Sequence, residues 1–476
     1  MKSSKKVLLL AAVVGLIQLG NCPAVVAQDS VQEIVTKYEP IAAKIIEETR
    51  RSNNSYLKLQ ELCDDIGNRL SGSESLEQAI DWAVASMEAD GHQNVRKEKV
   101  MVRKWVRGTE YCKLVEPAEV DFPMLGLGGS VGTPKGGITA EVIVVSDKEQ
   151  LDSLDDSDIE GKIVVFNKVM PPFSKTEGSG YGDTVQYRSN GAKWAAERGG
   201  VAALVRSVTA YSLESPHTGA MRYGDAETKV PTAAITVEAA ERLARLQARG
   251  ISPKVNLYME ARDEGEVPSA NVLAEIVGSE KPEEIVVIGG HIDSWDVGQG
   301  AHDDGTGCVV AMEALTIIRK LGLKPRRTIR VVLWTNEENG VAGAGHYAAH
   351  HQREKHVAGI ESDSGGFAPE GLSIDMEDKK KEEIAVKQLT EILKLLEPVR
   401  ATKVTTGFSG VDVGLLKPLG TPCMGLSVDG RRYFNTHHTH ADTIDKVDPD
   451  ELTDCTVVFA VMAYVLADMP GQLGDE

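Results

Sequence analysis

Apolar runs alternate with amphipathic stretches along the second half of the chain. After residue 268 this pattern predicts strands and helices in turn. We place them at residues 285–288 (strand), 306–320 (helix), 328–334 (strand), 357–361 (strand), 424–427 (strand) and 450–467 (helix). Such alternation is typical of an α/β fold, with a mostly parallel or mixed sheet and helices on both faces. Ligands bind beyond the carboxyl ends of the strands in such sheets.

The residues before 268 have a different pattern. Residues 32–87 carry apolar residues three and four apart, which predicts helices, whereas strand-like runs dominate residues 123–268. A chain of 476 residues is too long for one hydrophobic core. We therefore expect one domain built from residues 28–122 and 269–476, interrupted by an insert at residues 123–268.

The first residues predict a secretory signal peptide. Three lysines precede an apolar run at residues 7–19, and small residues follow at positions 25–27. This run is shorter than the roughly 20 residues that a membrane helix needs, so no membrane span is expected. Residues 1–27 would be removed, and the protein would be secreted or lie in the secretory pathway or lysosomal lumen.

Charge and cysteine content narrow the class of protein further. The chain has 71 acidic and 52 basic residues, and its net charge of −19 disfavours a nucleic-acid partner. The sequon Asn53-Asn54-Ser55 predicts a glycoprotein in a eukaryotic secretory pathway. Cys63 and Cys112 are a candidate disulfide pair, while the three later cysteines lie in apolar stretches.

Residues 289–307, GGHIDSWDVGQGAHDDGTG, lie where a strand ends and a helix begins, and they include His291, Asp293, Asp303 and Asp304. Further acidic and histidine residues follow the other predicted strands, namely Glu337, Glu338, Asp363, His438 and His440. Parallel strand ends lie side by side, so these residues can converge. Two imidazoles and several carboxylates without cysteine suit Zn²⁺ or a similar ion in a catalytic site.

The adjacent acids Glu337 and Glu338 suggest a division of roles. One can bind metal while the other takes a proton from the attacking water. A carboxylate placed between two cations can also bridge them, as in sites that polarise a carbonyl and activate water.

The order of motifs, H-x-D, DDG, EE, ESD and H-T-x-x-D-T, resembles that of the co-catalytic di-zinc exopeptidases, which include bacterial aminopeptidases. The blocks LWTNEE, ESDSGGF, VGLLKPLG and HHTHADT are most similar to the carboxypeptidase Q branch. The resemblance extends over residues 30–470. It implies the di-zinc exopeptidase fold, a protease-associated insert, two zinc ions per chain, substrates with free termini and a homodimer.

Matching the motifs residue by residue implies a set of metal ligands with Asp303 as the bridge: His291, Asp303, Glu338, Asp363 and His438. It implies that Glu337 is the general base. Asp293 would orient His291 from behind, and Asp442 would act in the same way near His438.

For other residues near these motifs, the sequence leaves more than one role open. His437 and His440 are expected to line the pocket or support the ligands. Arg431 and Arg432 can hold a substrate carboxylate or form a basic loop tip. Ser409, in TGFSGVD, is a further candidate for substrate contact.

These observations predict a secreted di-zinc exopeptidase that hydrolyses unblocked dipeptides or short peptides. An aminopeptidase acting on longer peptides is one alternative. A receptor or binding protein on the same fold is another, and loss of ligands would mark it, but no ligand position is missing. We expect the insert to carry no catalytic residue and to cover the site or join the dimer, with residues 178–186 reaching over the pocket.

Overall fold

The computed structural model describes residues 23–211 and 213–475, which form two eight-stranded sheets with helices packed against them. Most of the predicted signal peptide, residues 1–27, lies outside the described residues. Within the described part of the chain, the search for a helix long and apolar enough to cross a membrane finds none.

The helices are α1 (Pro23–Ser52), α2 (Ser55–Gln60), α3 (Glu74–Ala89), α4 (Lys148–Ser153), α5 (Asp156–Ile159), α6 (Tyr181–Glu197), α7 (Val237–Ala248), α8 (Thr306–Lys320), α9 (Ala342–His350), α10 (Lys379–Ile392), α11 (Tyr433–Thr436) and α12 (Pro449–Asp468). Shorter 3₁₀ and π turns lie at Glu61–Ile66, Ala301–Gly305, Leu393–Val399, Val413–Leu419 and Ile444–Lys446.

The strands are β1 (Gln93–Val106), β2 (Glu110–Glu116), β3 (Val120–Phe122), β4 (Met124–Gly126), β5 (Ile138–Val145), β6 (Ile163–Phe166), β7 (Ala202–Arg206), β8 (Thr232–Ile235), β9 (Lys254–Met259), β10 (Arg262–Ile276), β11 (Lys281–His291), β12 (Arg327–Trp334), β13 (Lys355–Glu361), β14 (Pro369–Asp375), β15 (Lys403–Thr406) and β16 (Cys423–Val428).

The first sheet has the order β1-β10-β12-β11-β13-β16-β14-β15. Its centre, β12-β11-β13-β16, is parallel throughout, and antiparallel partners flank it at β10 and β14. The prediction of an α/β fold with a mixed sheet is confirmed. The four strands predicted after residue 268 are the parallel strands at the centre of this sheet.

Helices cover both faces of this sheet because side chains of a strand alternate between its faces. Val286 and Ile288 pack into a core with α8 and α12, whereas Ile285 and Val287 pack into a separate core with α9. Burial on both faces explains why β11 is a continuous apolar run rather than an alternating one.

The second sheet, β3-β2-β9-β5-β6-β7-β8-β4, is built from residues between 110 and 259. It takes in β2 and β3, which precede the insert boundary predicted at residue 123, because both belong to the antiparallel set β3-β2-β9. At the other end, β10 starts before the predicted boundary at 268 and pairs with β1 in the first sheet. The apolar faces are covered by α7 on one side and α6 on the other.

The predicted disulfide between Cys63 and Cys112 is wrong. Both cysteines are free and buried. Cys63 packs in the core of the first sheet and Cys112 in a core of the second. Each cysteine is a core residue of a different sheet, and the spacing of cysteines along the chain could not show this.

The sequon residue Asn53 has a side chain that is already hydrogen-bonded. Its Nδ2 donates to Ser55 Oγ (2.8 Å) and to Thr453 Oγ1 (3.0 Å). A glycan attached to Nδ2 would have to break the contact with α12, so the local structure opposes the predicted modification.

Candidate metal centre

The parallel strands at the centre of the first sheet deliver acidic and histidine side chains to one edge. His291 is the last residue of β11, Glu337 and Glu338 follow β12, and Asp363 follows β13. The loop after β16 carries His438. The convergence arises because parallel strands end at the same edge.

Asp303 reaches the same point from the turn that opens α8. The carboxylate of Asp442 accepts the backbone N–H groups of His302 (2.8 Å) and Asp303 (3.1 Å) and so fixes this turn. Neighbouring Asp304 accepts the N–H of His291 (3.0 Å). A Cβ at Gly290 would lie 2.3 Å from the Asp304 carboxylate, so only glycine allows this approach.

The two oxygens of Asp303 face two different clusters. Oδ1 lies 3.4 Å from His291 Nε2, which is also 3.3 Å from Asp363 Oδ1. Oδ2 lies 3.1 Å from His438 Nε2, which is also 3.1 Å from Glu338 Oε2. We call His291 with Asp363 the first cluster and His438 with Glu338 the second cluster. Asp303 lies between them.

Both histidines direct Nε2 at these carboxylates and Nδ1 at a backbone carbonyl. His291 Nδ1 donates to the carbonyl of Asp293 (2.9 Å), and His438 Nδ1 donates to the carbonyl of Thr218 (3.2 Å). A neutral imidazole with Nδ1–H has a lone pair on Nε2. Lone pairs and carboxylate oxygens face each other favourably when a cation lies between them, as around bound zinc.

Two buried oxygens of the site also have no hydrogen-bond partner. They are Asp303 Oδ2 and Glu338 Oε1. Buried polar atoms are nearly always satisfied, so these atoms are suited to a ligand. Nitrogen and oxygen donors in two groups that share one carboxylate fit a pair of divalent metal ions.

Two residues expected behind the ligands act differently from the prediction. The Asp293 carboxylate is 3.8 Å from His291 Nδ1 and accepts the N–H groups of Glu337 (3.0 Å) and Glu338 (3.3 Å) instead. The Asp293 backbone carbonyl orients His291. Asp442 orients Asp303 rather than His438, because its carboxylate is used by the turn before α8.

The acidic groups of the site strongly perturb one another. Burial raises the pKa of Glu337 well above its ordinary value. The negative charges of Asp363 and Glu338 raise this pKa further, while His291 lowers it. Burial, followed by the charge of Asp303, raises the pKa of Glu338 to about 7 although His438 opposes this. Carboxylates packed at this density favour the binding of positive charge, which divalent cations supply.

A cavity of about 560 Å³ lies over the two clusters. It is lined by residues of the first sheet and its loops, and by residues 173–188, which include the start of α6. Glu337, His437 and Ser409 line it, as predicted for substrate-facing residues. Its aromatic lining consists of Phe173, Tyr181, Phe408, Tyr433 and Phe434. His440 is exposed and lies outside the lining.

Arg431 and Arg432 do not face this cavity. Both are exposed, and they pair with Asp429 and Glu451 respectively. The structure therefore supports the basic loop tip rather than a grip on substrate. The two arginines lie three and four residues beyond the end of β16.

Arg188 of α6 is the cavity residue that sequence reasoning missed. Among the described residues that line the cavity it is the lone arginine or lysine. Arg188 is 7% exposed, and its guanidinium donates to the hydroxyl of Tyr181 (3.0 Å) and lies 3.3 Å from His438 Nδ1. Tyr181 falls within residues 178–186, which were predicted to reach over the pocket, but nothing in the local sequence distinguished Arg188 from a surface residue of an amphipathic helix.

Comparison with known proteins agrees with this geometry. Residues 271–463 match the model of peptidase family M28. Carboxypeptidase Q of Mus musculus is 42% identical over 473 residues, 97% of this chain and 98% of the mouse protein. The crystal structure of a peptidase M28 precursor from Shewanella amazonensis SB2B has a TM-score of 0.86 at 34% identity, covering 92% of this chain and 98% of that one.

A zinc aminopeptidase from Bacillus subtilis shares the fold, with a TM-score of 0.63 at 17% identity, covering 89% of this chain and 97% of that one. The similarity to carboxypeptidase Q extends over nearly the full length of both proteins, which confirms the branch that the motifs predicted. The chain therefore belongs to peptidase family M28 and is a metallopeptidase of its carboxypeptidase Q-like branch.

Proposed function

We propose that this metallo-exopeptidase hydrolyses unblocked dipeptides or very short peptides with two zinc ions per chain. The observation that carries the proposal is Asp303, whose two oxygens face two histidine–carboxylate clusters at the base of one cavity. We assign as ligands the five residues of this arrangement: His291, Asp303, Glu338, Asp363 and His438.

Glu337 is the residue that we propose as general base. When bound, zinc would polarise the scissile carbonyl and lower the pKa of a water molecule. Glu337 would accept the proton of that water and deliver it to the leaving amine. Its place at the cavity wall is set by Asp293, which holds the Glu337 N–H at 3.0 Å.

The size and charge of the cavity support short substrates with free ends. A volume of about 560 Å³ lies within the range of small-molecule sites. The acidic clusters suit a free α-amino group, and Arg188 is placed to receive a carboxylate, the role first predicted for Arg431 and Arg432. Pairing with charged ends discriminates strongly, because a missing charge leaves a buried group unpaired.

The test is a panel of one dipeptide with free ends, its N-acetyl form, its C-terminal amide and a longer peptide, assayed with zinc-loaded and chelated protein. We expect capping either end to lower kcat/KM by about 10²-fold or more. Arg188→Met should lower activity on the free dipeptide toward that on the amide, whereas Arg431→Ala, the matched control, should change neither.

Equal rates on capped and free dipeptides would overturn the proposed specificity. Rapid trimming of the longer peptide from its amino end would favour the aminopeptidase alternative. The receptor or binding-protein alternative would be marked by loss of ligand residues, and all five proposed ligand positions are present in this chain.

We propose further that the protein is secreted after removal of residues 1–27 and that two copies form a homodimer. We also propose that the insert expected at residues 123–268, whose sheet spans residues 110–259, is a protease-associated domain that covers the site. The amino-terminal sequence supports secretion, and the α6 side chains that line the cavity support the cover. The homodimer is supported by the similarity to carboxypeptidase Q alone. Amino-terminal sequencing of the exported protein and light scattering would test these points. An intact residue 1 or a monomer at micromolar concentration would contradict them.

A further inference from the structure

A loop of the second sheet holds the loop that carries His438. His217 and Thr218 lie between β7 and β8. The N–H of Thr218 donates to the carbonyl of His438 (3.0 Å), and the Thr218 carbonyl accepts from His438 Nδ1 (3.2 Å). Both residues are buried. One residue of the second sheet therefore binds both the backbone and the side chain of a proposed ligand.

His217 adds a third contact to the same loop. Its Nδ1 lies 2.7 Å from the carbonyl of His437, and its backbone N–H donates to Ser207 Oγ (2.9 Å). Burial lowers the pKa of His217 to about 3 although the bond to the His437 carbonyl opposes this, so the ring is neutral. Its one N–H is at Nδ1, because the carbonyl can only accept.

The contacts matter because the backbone of His438 is held in an unfavourable conformation. Its φ is 60°, in the left-handed region that non-glycine residues adopt when surrounding structure holds them there. His438 does not lie on a strand, so local pairing does not fix it. By contrast, His291 ends β11, and its Nδ1 is held by Asp293 two residues further on.

We propose that His217 and Thr218 are positioning residues of the metal centre. They hold His438 in its binding conformation, with Nδ1 toward the Thr218 carbonyl and Nε2 toward the second cluster. Metal affinity at the second cluster therefore depends on the second sheet, while affinity at the first cluster does not. This inference rests on the proposed two-zinc site.

The test is zinc titration of metal-free His217→Leu and His217→Asn against a chromophoric chelator, with bound zinc measured after dialysis. Leucine removes the donor, and we expect one zinc to bind as in the wild type and the other to bind about 10- to 100-fold more weakly. Asparagine carries a donor close to the position of Nδ1 and should restore most of the affinity.

His356→Leu is the matched control for loss of a buried neutral histidine. His356 is 7% exposed and contacts the Tyr347 hydroxyl (3.0 Å), away from the clusters. The His356→Leu variant should be less stable than the wild type but should still bind two zinc ions. If circular dichroism shows that His217→Leu is unfolded, His217→Ala replaces it with the same expectation.

Two tight zinc sites in His217→Leu would overturn the inference. So would a His217→Asn variant that binds zinc no better than His217→Leu, or a His356→Leu variant that loses as much zinc. Fewer than two zinc ions in the wild type would instead refute the two-zinc proposal. The two failures are therefore distinguishable.

Discussion

Replacing Glu337 with glutamine removes a proton acceptor and changes little else. The amide keeps the size of the side chain, and the backbone contact of Glu337 with Asp293 (3.0 Å) is unaffected. The atoms at 3.1–3.4 Å around Asp303 come from other residues. We therefore expect Glu337→Gln to lose turnover while it retains its zinc.

The expected loss is about 10⁴-fold in kcat, the upper end of what a general base contributes. Among the described residues that line the cavity, no other acid is free to replace Glu337. Glu338 and Asp363 belong to the clusters, and Glu361 accepts the N–H groups of Val411 (3.1 Å) and Val413 (2.6 Å). At about 1.36 kcal/mol for each factor of ten, the barrier rises by about 5.4 kcal/mol.

The assay is hydrolysis of a free dipeptide by zinc-loaded protein at saturating substrate, with bound zinc measured on the same samples. Glu338→Gln should lose zinc, because Glu338 Oε2 contacts His438. Asp183→Asn, an exposed acid at the start of α6, is the control and should keep full activity. A Glu337→Gln enzyme within tenfold of wild type, or one that loses zinc while Glu338→Gln keeps it, would refute the assignment.

Chelation should lower the melting temperature in differential scanning fluorimetry, since zinc at 100 times its Kd stabilises the folded state by about 2.7 kcal/mol per site; an unchanged midpoint would argue against structural coupling of the metals. Asp303→Asn should weaken zinc at both clusters, and a variant that keeps two tight sites would show that Asp303 does not bridge. Burial raises the pKa of Glu284, but hydrogen bonds and charges of Lys355 and Arg327 outweigh this and lower the pKa to about 2. The ionised carboxylate therefore contributes its full stabilisation of the folded state above pH about 4.5, and this contribution is lost as the pH falls toward 2. Glu284→Gln should lower the free energy of unfolding, measured with urea at pH 7, by about 3–5 kcal/mol, because Arg327, which is 3% exposed, loses its partner. The variant should also lose this dependence of stability on acid pH. Equal stability of the two proteins at pH 7 would contradict the argument.

The sequence by itself determined the central sheet and the position of the site on it. The apolar runs that become β11, β12, β13 and β16 are continuous because both faces of these strands are buried, and such runs are visible without a structure. The acidic and histidine residues that follow them had to converge because parallel strands end at one edge. The motif order supplied the family, which the comparisons confirm.

Strand pairing across long separations was decided only by the tertiary structure. Strand β10 was missed, although it pairs with both β1 and β12. Strand β2 lies before residue 123, where the insert was expected to begin, although it pairs with β9 of the second sheet. Local periodicity shows that a segment is extended but not which partner completes its hydrogen bonds.

The surroundings of the ligands were likewise decided by tertiary contacts. Asp293 and Asp442 are near the ligands in sequence, but which backbone N–H groups they accept depends on how turns from separate elements meet. Arg188 faces the cavity and Thr218 holds His438 from more than 200 residues away along the chain. Hydrogen bonds are set by distance and angle in space, and these arise only when the two sheets pack around the same cavity.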